Sequence, residues 1–118
     1  MNIAKLLAMV SLIFAPAPAL AQDLAPDLAQ NLAGKTWREQ KCILYQSAWH
    51  DALGLVDATG LSRGFIAGND AFVASGCLTG RKICPRSKAE YDMANLLTMM
   101  TMNEGMASTF VPFSCATD

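Results

Sequence analysis

Four cysteines, Cys42, Cys77, Cys84 and Cys115, constrain the fold of this 118-residue chain more than any other feature. An even number in a short chain reads as two disulfides when the chain is exported, and the first residues have the layout of an export signal. Lys5 precedes an apolar run from Leu6 to Phe14, and a Pro/Ala stretch follows that closes on Ala19-Leu20-Ala21 before Gln22. One positive charge, about nine apolar residues and small residues at −3 and −1 describe a cleavable secretory signal. The run is too short to cross roughly 30 Å of hydrocarbon as a helix. Residues 1–21 are therefore expected to be a signal peptide, and the remaining chain to be periplasmic or secreted with no membrane span.

Those remaining 97 residues suffice for one small domain. A domain this size buries a modest share of its surface, so two cross-links of roughly 2–4 kcal/mol each would supply much of its stability. Without Lys5 the chain has eight Lys/Arg against ten Asp/Glu, a net charge of −2. Nucleic-acid binding calls for a strong positive field, so no nucleic-acid partner is expected.

Residues 22–35 contain a proline, a glycine and many alanines, and read as a flexible N-terminal arm. Leu24, Leu28 and Leu32 recur every four residues, which allows a turn or two of helix there. Residues 36–118 read as the disulfide-linked helical domain. Thr36, with Glu39 three residues on, has capping-box chemistry for a helix to about Val56. Cys42, Tyr45, Trp49, Ala52, Leu53 and Val56 lie along one side of it, and Gly60 is available for a left-handed position beyond its end. Ser62 can cap a second helix to about Ser75, with Phe65, Ile66, Phe72 and Val73 as its apolar side. Ser87 and Glu90, just past Pro85, open a third running to about Met102. Its expected stripe is Tyr91, Ala94, Leu97 and Thr101, with Met93, Leu96 and Met100 beside it. A short fourth helix is expected over Met106–Val111, ended by Pro112.

The fold class is thus all-α: a small four-helix domain of two antiparallel helical hairpins with two disulfides. Cys42 and Cys77 lie 18 and 17 residues from Gly60, so an antiparallel hairpin turning there makes them neighbours. Cys84 and Cys115 flank the second pair with a turn near Asn103. The spacing therefore favours Cys42–Cys77 and Cys84–Cys115. The expected core is Tyr45, Trp49, Phe65, Phe72, Leu97 and Phe110.

Little in the chain points to catalysis, and no enzyme activity, metal or cofactor is expected. Redox sites generally use Cys-x-x-Cys, whereas the closest pair here, Cys77 and Cys84, has six residues between. His50 is the only histidine; two disulfides leave it no thiolate partner, and no Gly-x-Ser-x-Gly motif is present. Met93, Met99, Met100, Met102 and Met106 crowd fourteen residues. Thioethers suit Cu(I), but a methionine-rich core or adaptable surface is the favoured reading. The strongest surface candidate is the Gly80–Lys88 loop, where Arg81, Lys82, Arg86 and Lys88 surround Cys84 and Pro85. A cross-linked basic loop loses little entropy on meeting an acidic protein partner.

Two stretches carry a resemblance. Gly64-Phe65-Ile66-Ala67-Gly68 with Asp70 resembles the Gly-Tyr-Ile-x-Gly…Asp helix of small periplasmic immunity proteins that neutralise type VI-secreted peptidoglycan amidases. Cys84-Pro85, a helix, Met106-Ala107, Phe110 and Phe113-Ser114-Cys115 look like that family's Cys-x-Pro segment and Ala-Leu…Phe-Pro-Cys ending. The family pattern has a cysteine just before Gly-Tyr-Ile, where this chain has Ser62-Arg63; its cysteine is Cys77, at the other end of the helix. The resemblance spans roughly residues 40–116 and implies an exported, non-catalytic binding protein with an exported amidase as partner. A periplasmic envelope-stress chaperone is the alternative class, and a methionine-rich copper binder a further one.

Overall fold

The computed structural model describes residues 26–78 and 82–115. The expected signal peptide at 1–21 lies outside them. The described residues form four α-helices, with no strand beyond one isolated bridge: α1 (Pro26–Leu32), α2 (Trp37–Leu53), α3 (Arg63–Ala74) and α4 (Lys88–Asn103). Both disulfides have the sequential pairing, Cys42–Cys77 and Cys84–Cys115. Among the described residues no helix is long and apolar enough to cross a membrane.

Each long helix begins on a hydroxyl side chain that accepts one of the N–H groups a helix start leaves without an internal partner. Thr36 Oγ1 accepts from Glu39 N at 3.2 Å, Ser62 Oγ from Phe65 N at 3.1 Å, and Ser87 Oγ from Glu90 N at 3.1 Å. Helices α3 and α4 end alike. Gly76 (φ 81°) and Gly105 (φ 90°) take the left-handed conformation. The next residue then folds back, with Cys77 N donating to Phe72 O and Met106 N to Thr101 O, each at 3.0 Å. These reversals deliver Cys77 to its disulfide and Met106 to the core.

Gly60 does something other than the sequence suggested. Helix α2 stops at Leu53, and Gly54 ends it in right-handed geometry. Asp57 then caps a single 3-10 turn, Ala58–Gly60, and Gly60 has no positive φ. Its glycine is required for proximity: a Cβ there would lie 2.6 Å from Ala89 Cβ at the start of α4.

Contacts fix the helix directions. Cys42, Tyr45 and Trp49 of α2 meet Cys77, Phe72 and Phe65 in reverse order, so α3 runs antiparallel to α2. Helix α4 also opposes α2, since its start packs on Gly60 and Gly105 at its end faces Trp37. The core forms where the three meet. Tyr45, Phe72, Met93 and Leu97 are fully buried, Trp49 and Phe65 nearly so, and Phe110 half-buried with edge-on contacts to Tyr45 and Phe72.

Two segments differ from expectation. The fourth helix is Pro26–Leu32, inside the stretch read as an arm; Gln40 Nε2 holds its end by donating to Leu32 O (3.3 Å) and Lys35 O (3.0 Å). Residues 106–111 instead make turns. Six residues gain few helical hydrogen bonds, whereas the observed path seats Met106, Phe110 and Phe113 on the core. The second hairpin is therefore α4 with an extended return. That return runs parallel to the loop after α3 and pairs with it, Ile83 opposite Phe113.

Candidate functional site

From Ile83 onward, the segment leading into α4 is anchored repeatedly. Ile83 N donates to Pro112 O at 2.8 Å, and Ser114 N donates to Ile83 O at 3.0 Å. Cys84 is bonded to Cys115 with Cα atoms 4.5 Å apart. Ile83 is buried against α3 at Gly68, where a Cβ would come within 3.0 Å of its Cγ1. Pro85 is buried, and Ser87 Oγ donates to Gly60 O at 2.8 Å.

A buried carboxylate completes the anchoring. Glu90, only 3 % exposed, accepts from Arg86 N at 3.0 Å through Oε1 and from Ser62 N at 2.9 Å through Oε2. Burial alone would raise its pKa. Hydrogen bonds from the backbone of Ser62 and Arg86, joined by the Ser62 side chain and Ser87 backbone, outweigh burial and hold it below the ordinary carboxylate value. The charge is met by N–H dipoles at the starts of α3 and α4, where a negative group is favoured.

This framework borders a groove of about 330 Å³. Gly64 and Phe65 of α3 form one wall, Ile83 and Cys84 another, and Lys82 and Arg86 stand at the rim. Phe65 is braced from behind by Phe113, whose ring stacks on it at 5.5 Å between centroids. Gly64 is a helical residue with ordinary φ, and a Cβ there would find only Ser62 Oγ, at 4.0 Å. Nothing inside the protein requires a glycine at that position.

The four candidate cations thus separate. Lys82 and Arg86 come together on the groove, exposed, and neither forms an ion pair among the described residues. Lys88 is exposed as well but holds Asp92 Oδ2 at 2.7 Å one helical turn on. Arg81 lies outside the described residues.

The other candidates separate too. Met93 and Met106 are in the core, Met100 is half-buried, and Met99 and Met102 are 63 % and 50 % exposed. The methionine cluster is therefore partly core and partly surface. His50 is exposed near the end of α2, and among the described residues no three His, Cys, Asp or Glu side chains converge as a metal site. Residues that sequence reasoning did not single out are Glu90 as an inter-helix tie and Asn69, which is buried and accepts from the Tyr45 hydroxyl at 2.6 Å. The Ser87-x-x-Glu90 pattern was the available signal, but it implies only a local bond back to the cap.

No family model, curated protein or solved structure matches the chain. The two disulfides are those of a protein that folds in an oxidising, exported environment.

Proposed function

We propose that the protein is a non-catalytic inhibitor-type binding protein of the periplasm or another secreted compartment, which presents its basic loop to an acidic cleft of a protein partner. One observation carries this reading: Lys82 and Arg86 are cations without an ion pair among the described residues, on a loop anchored by a disulfide, two bridge hydrogen bonds and Glu90. A loop already held in place loses little conformational freedom on binding, and an arginine fork can grip a carboxylate through two hydrogen bonds. Gly64 supports it further, because the open wall it contributes to the groove lets a partner backbone approach closely.

The resemblance in Gly64–Asp70 and in Cys84–Cys115 to amidase-neutralising immunity proteins directs the search for the partner to exported peptidoglycan amidases. The test is to mix the oxidised protein with an exported amidase encoded by a neighbouring gene and follow peptidoglycan cleavage. Stoichiometric inhibition is expected, with at least a tenfold loss of affinity in Lys82→Ala combined with Arg86→Ala. Affinity within twofold of the parent would remove the loop from the interface and move attention to the exposed Met99 and Met102 face. On that face, suppression of client aggregation is the readout for the chaperone alternative.

A further inference from the structure

The Tyr45–Asn69 pair uses only one half of the Asn69 amide among the described residues. The Tyr45 hydroxyl donates to Asn69 Oδ1, and burial holds that phenol far above its ordinary pKa, so it remains a donor. With the oxygen turned to Tyr45, the amide nitrogen must point the other way. Among the described residues no protein acceptor meets Asn69 Nδ2, and no fully buried side-chain nitrogen or oxygen lacks a partner. Asn69 as a whole is only 2 % exposed. The opening that Asn69 borders is a cleft of about 230 Å³ between α2 and α3. Trp49 borders the same cleft, is itself nearly buried, and its indole N–H likewise has no acceptor among the described residues.

We infer that this cleft is a binding site for a small neutral ligand bearing an amide carbonyl, whose oxygen accepts from Asn69 Nδ2 while its acyl group lies against Trp49 and Val73. Two N–H donors with no acceptor among the described residues select an acceptor. Asp70 at the cleft disfavours an anion. The volume of about 230 Å³ lies below the roughly 300–1,000 Å³ of pockets for drug-sized ligands and suits a fragment no larger than an acylamino group. Two sources share that chemistry: an N-acylated amino sugar, which can also lay an apolar face on the indole, and a peptide amide. The site does not involve the basic loop, so its fate is independent of the function proposed above.

The experiment follows the Asn69 side-chain NH2 and the Trp49 indole N–H of the oxidised, isotope-labelled protein by nuclear magnetic resonance. N-acetylglucosamine and N-acetylglycine methylamide are the probes, and glucose, which has no amide, is the control. Saturable shifts of these signals by either amide, and none by glucose, are expected. A response to both probes assigns the amide carbonyl alone, and a response to one assigns its source. Ala74→Trp, an exposed substitution at the cleft mouth that leaves the core untouched, should weaken binding at least tenfold. Non-saturating drift with both amides, equal shifts with glucose, or unchanged affinity in Ala74→Trp would each overturn the assignment.

Discussion

Glu90, in the first turn of α4, accepts the backbone N–H of Ser62, the residue that caps α3, at 2.9 Å across 28 residues of chain. With its other oxygen on Arg86 N, one carboxylate sets the positions of two helix starts and of the loop that joins α3 to α4.

This relationship makes stability depend on acid. A carboxylate with a lowered folded-state pKa contributes fully above its ordinary value of 4.5, and the contribution is lost as pH falls through the lower folded value. Urea unfolding midpoints should therefore decline as pH drops below 4.5. Glu90→Gln should lower stability at neutral pH by about 1–3 kcal/mol, because the amide nitrogen turns a donor toward a donor. It should also flatten the acid decline. An unchanged acid slope in that variant would mean other carboxylates govern it.

Gly60 and Ala89 should behave as a coupled pair. Gly60→Ala places two methyl-sized groups 2.6 Å apart and is expected to cost about 1–3 kcal/mol in thermal or chemical unfolding. Combining it with Ala89→Gly should cost less than the two changes summed. Strict additivity would show that the helix starts shift apart freely.

Two glycines four residues apart in α3 should respond in opposite directions. Gly68→Ala forces Ile83 away from a 3.0 Å contact and should lower the melting temperature. Gly64→Ala meets open space and should hold or raise stability by up to about 1 kcal/mol through helix propensity. If the groove receives a partner, Gly64→Ala should nevertheless weaken binding, a combination that damage to the fold cannot produce.

Replacing Cys84 and Cys115 by serine opens a cross-link between residues 31 apart and should remove roughly 3–4 kcal/mol of stability. Hydrogen exchange should report where the loss falls. The amides of Ile83 and Ser114, which form the bridge beside the disulfide, should lose protection before those of α2.

The helix starts were legible because their signal is local: a hydroxyl at Thr36, Ser62 or Ser87 with the donors it satisfies within three residues. The Cys42–Cys77 pairing was legible because near-equal distances from a turn define neighbours, and Cys84–Cys115 is then the pair that remains. Periodicity misplaced Tyr91, which is half exposed while Glu90 points inward. The partners of Glu90 are backbone N–H groups, which have no residue signature. Met106–Val111 has helix-compatible spacing, yet the left-handed Gly105 and the pull of the core on Phe110 and Phe113 set a path of turns. At the candidate site the clustered cations were visible, but which of them lack an ion pair among the described residues was not. Lys88 is taken by Asp92, and the open wall at Gly64 depends on where Ile83 and Phe113 come to rest.

The non-overlapping disulfides carry a consequence for biogenesis. Cys42 bonds to Cys77, the next cysteine in the chain, and Cys84 to Cys115, again the next. A chain threaded N-terminus first into an oxidising compartment exposes its thiols in that order. An oxidase that joins each new thiol to the one still waiting would make only native bonds. Maturation then requires an oxidising catalyst and no isomerase, and a host lacking thiol shuffling should still produce correctly linked protein.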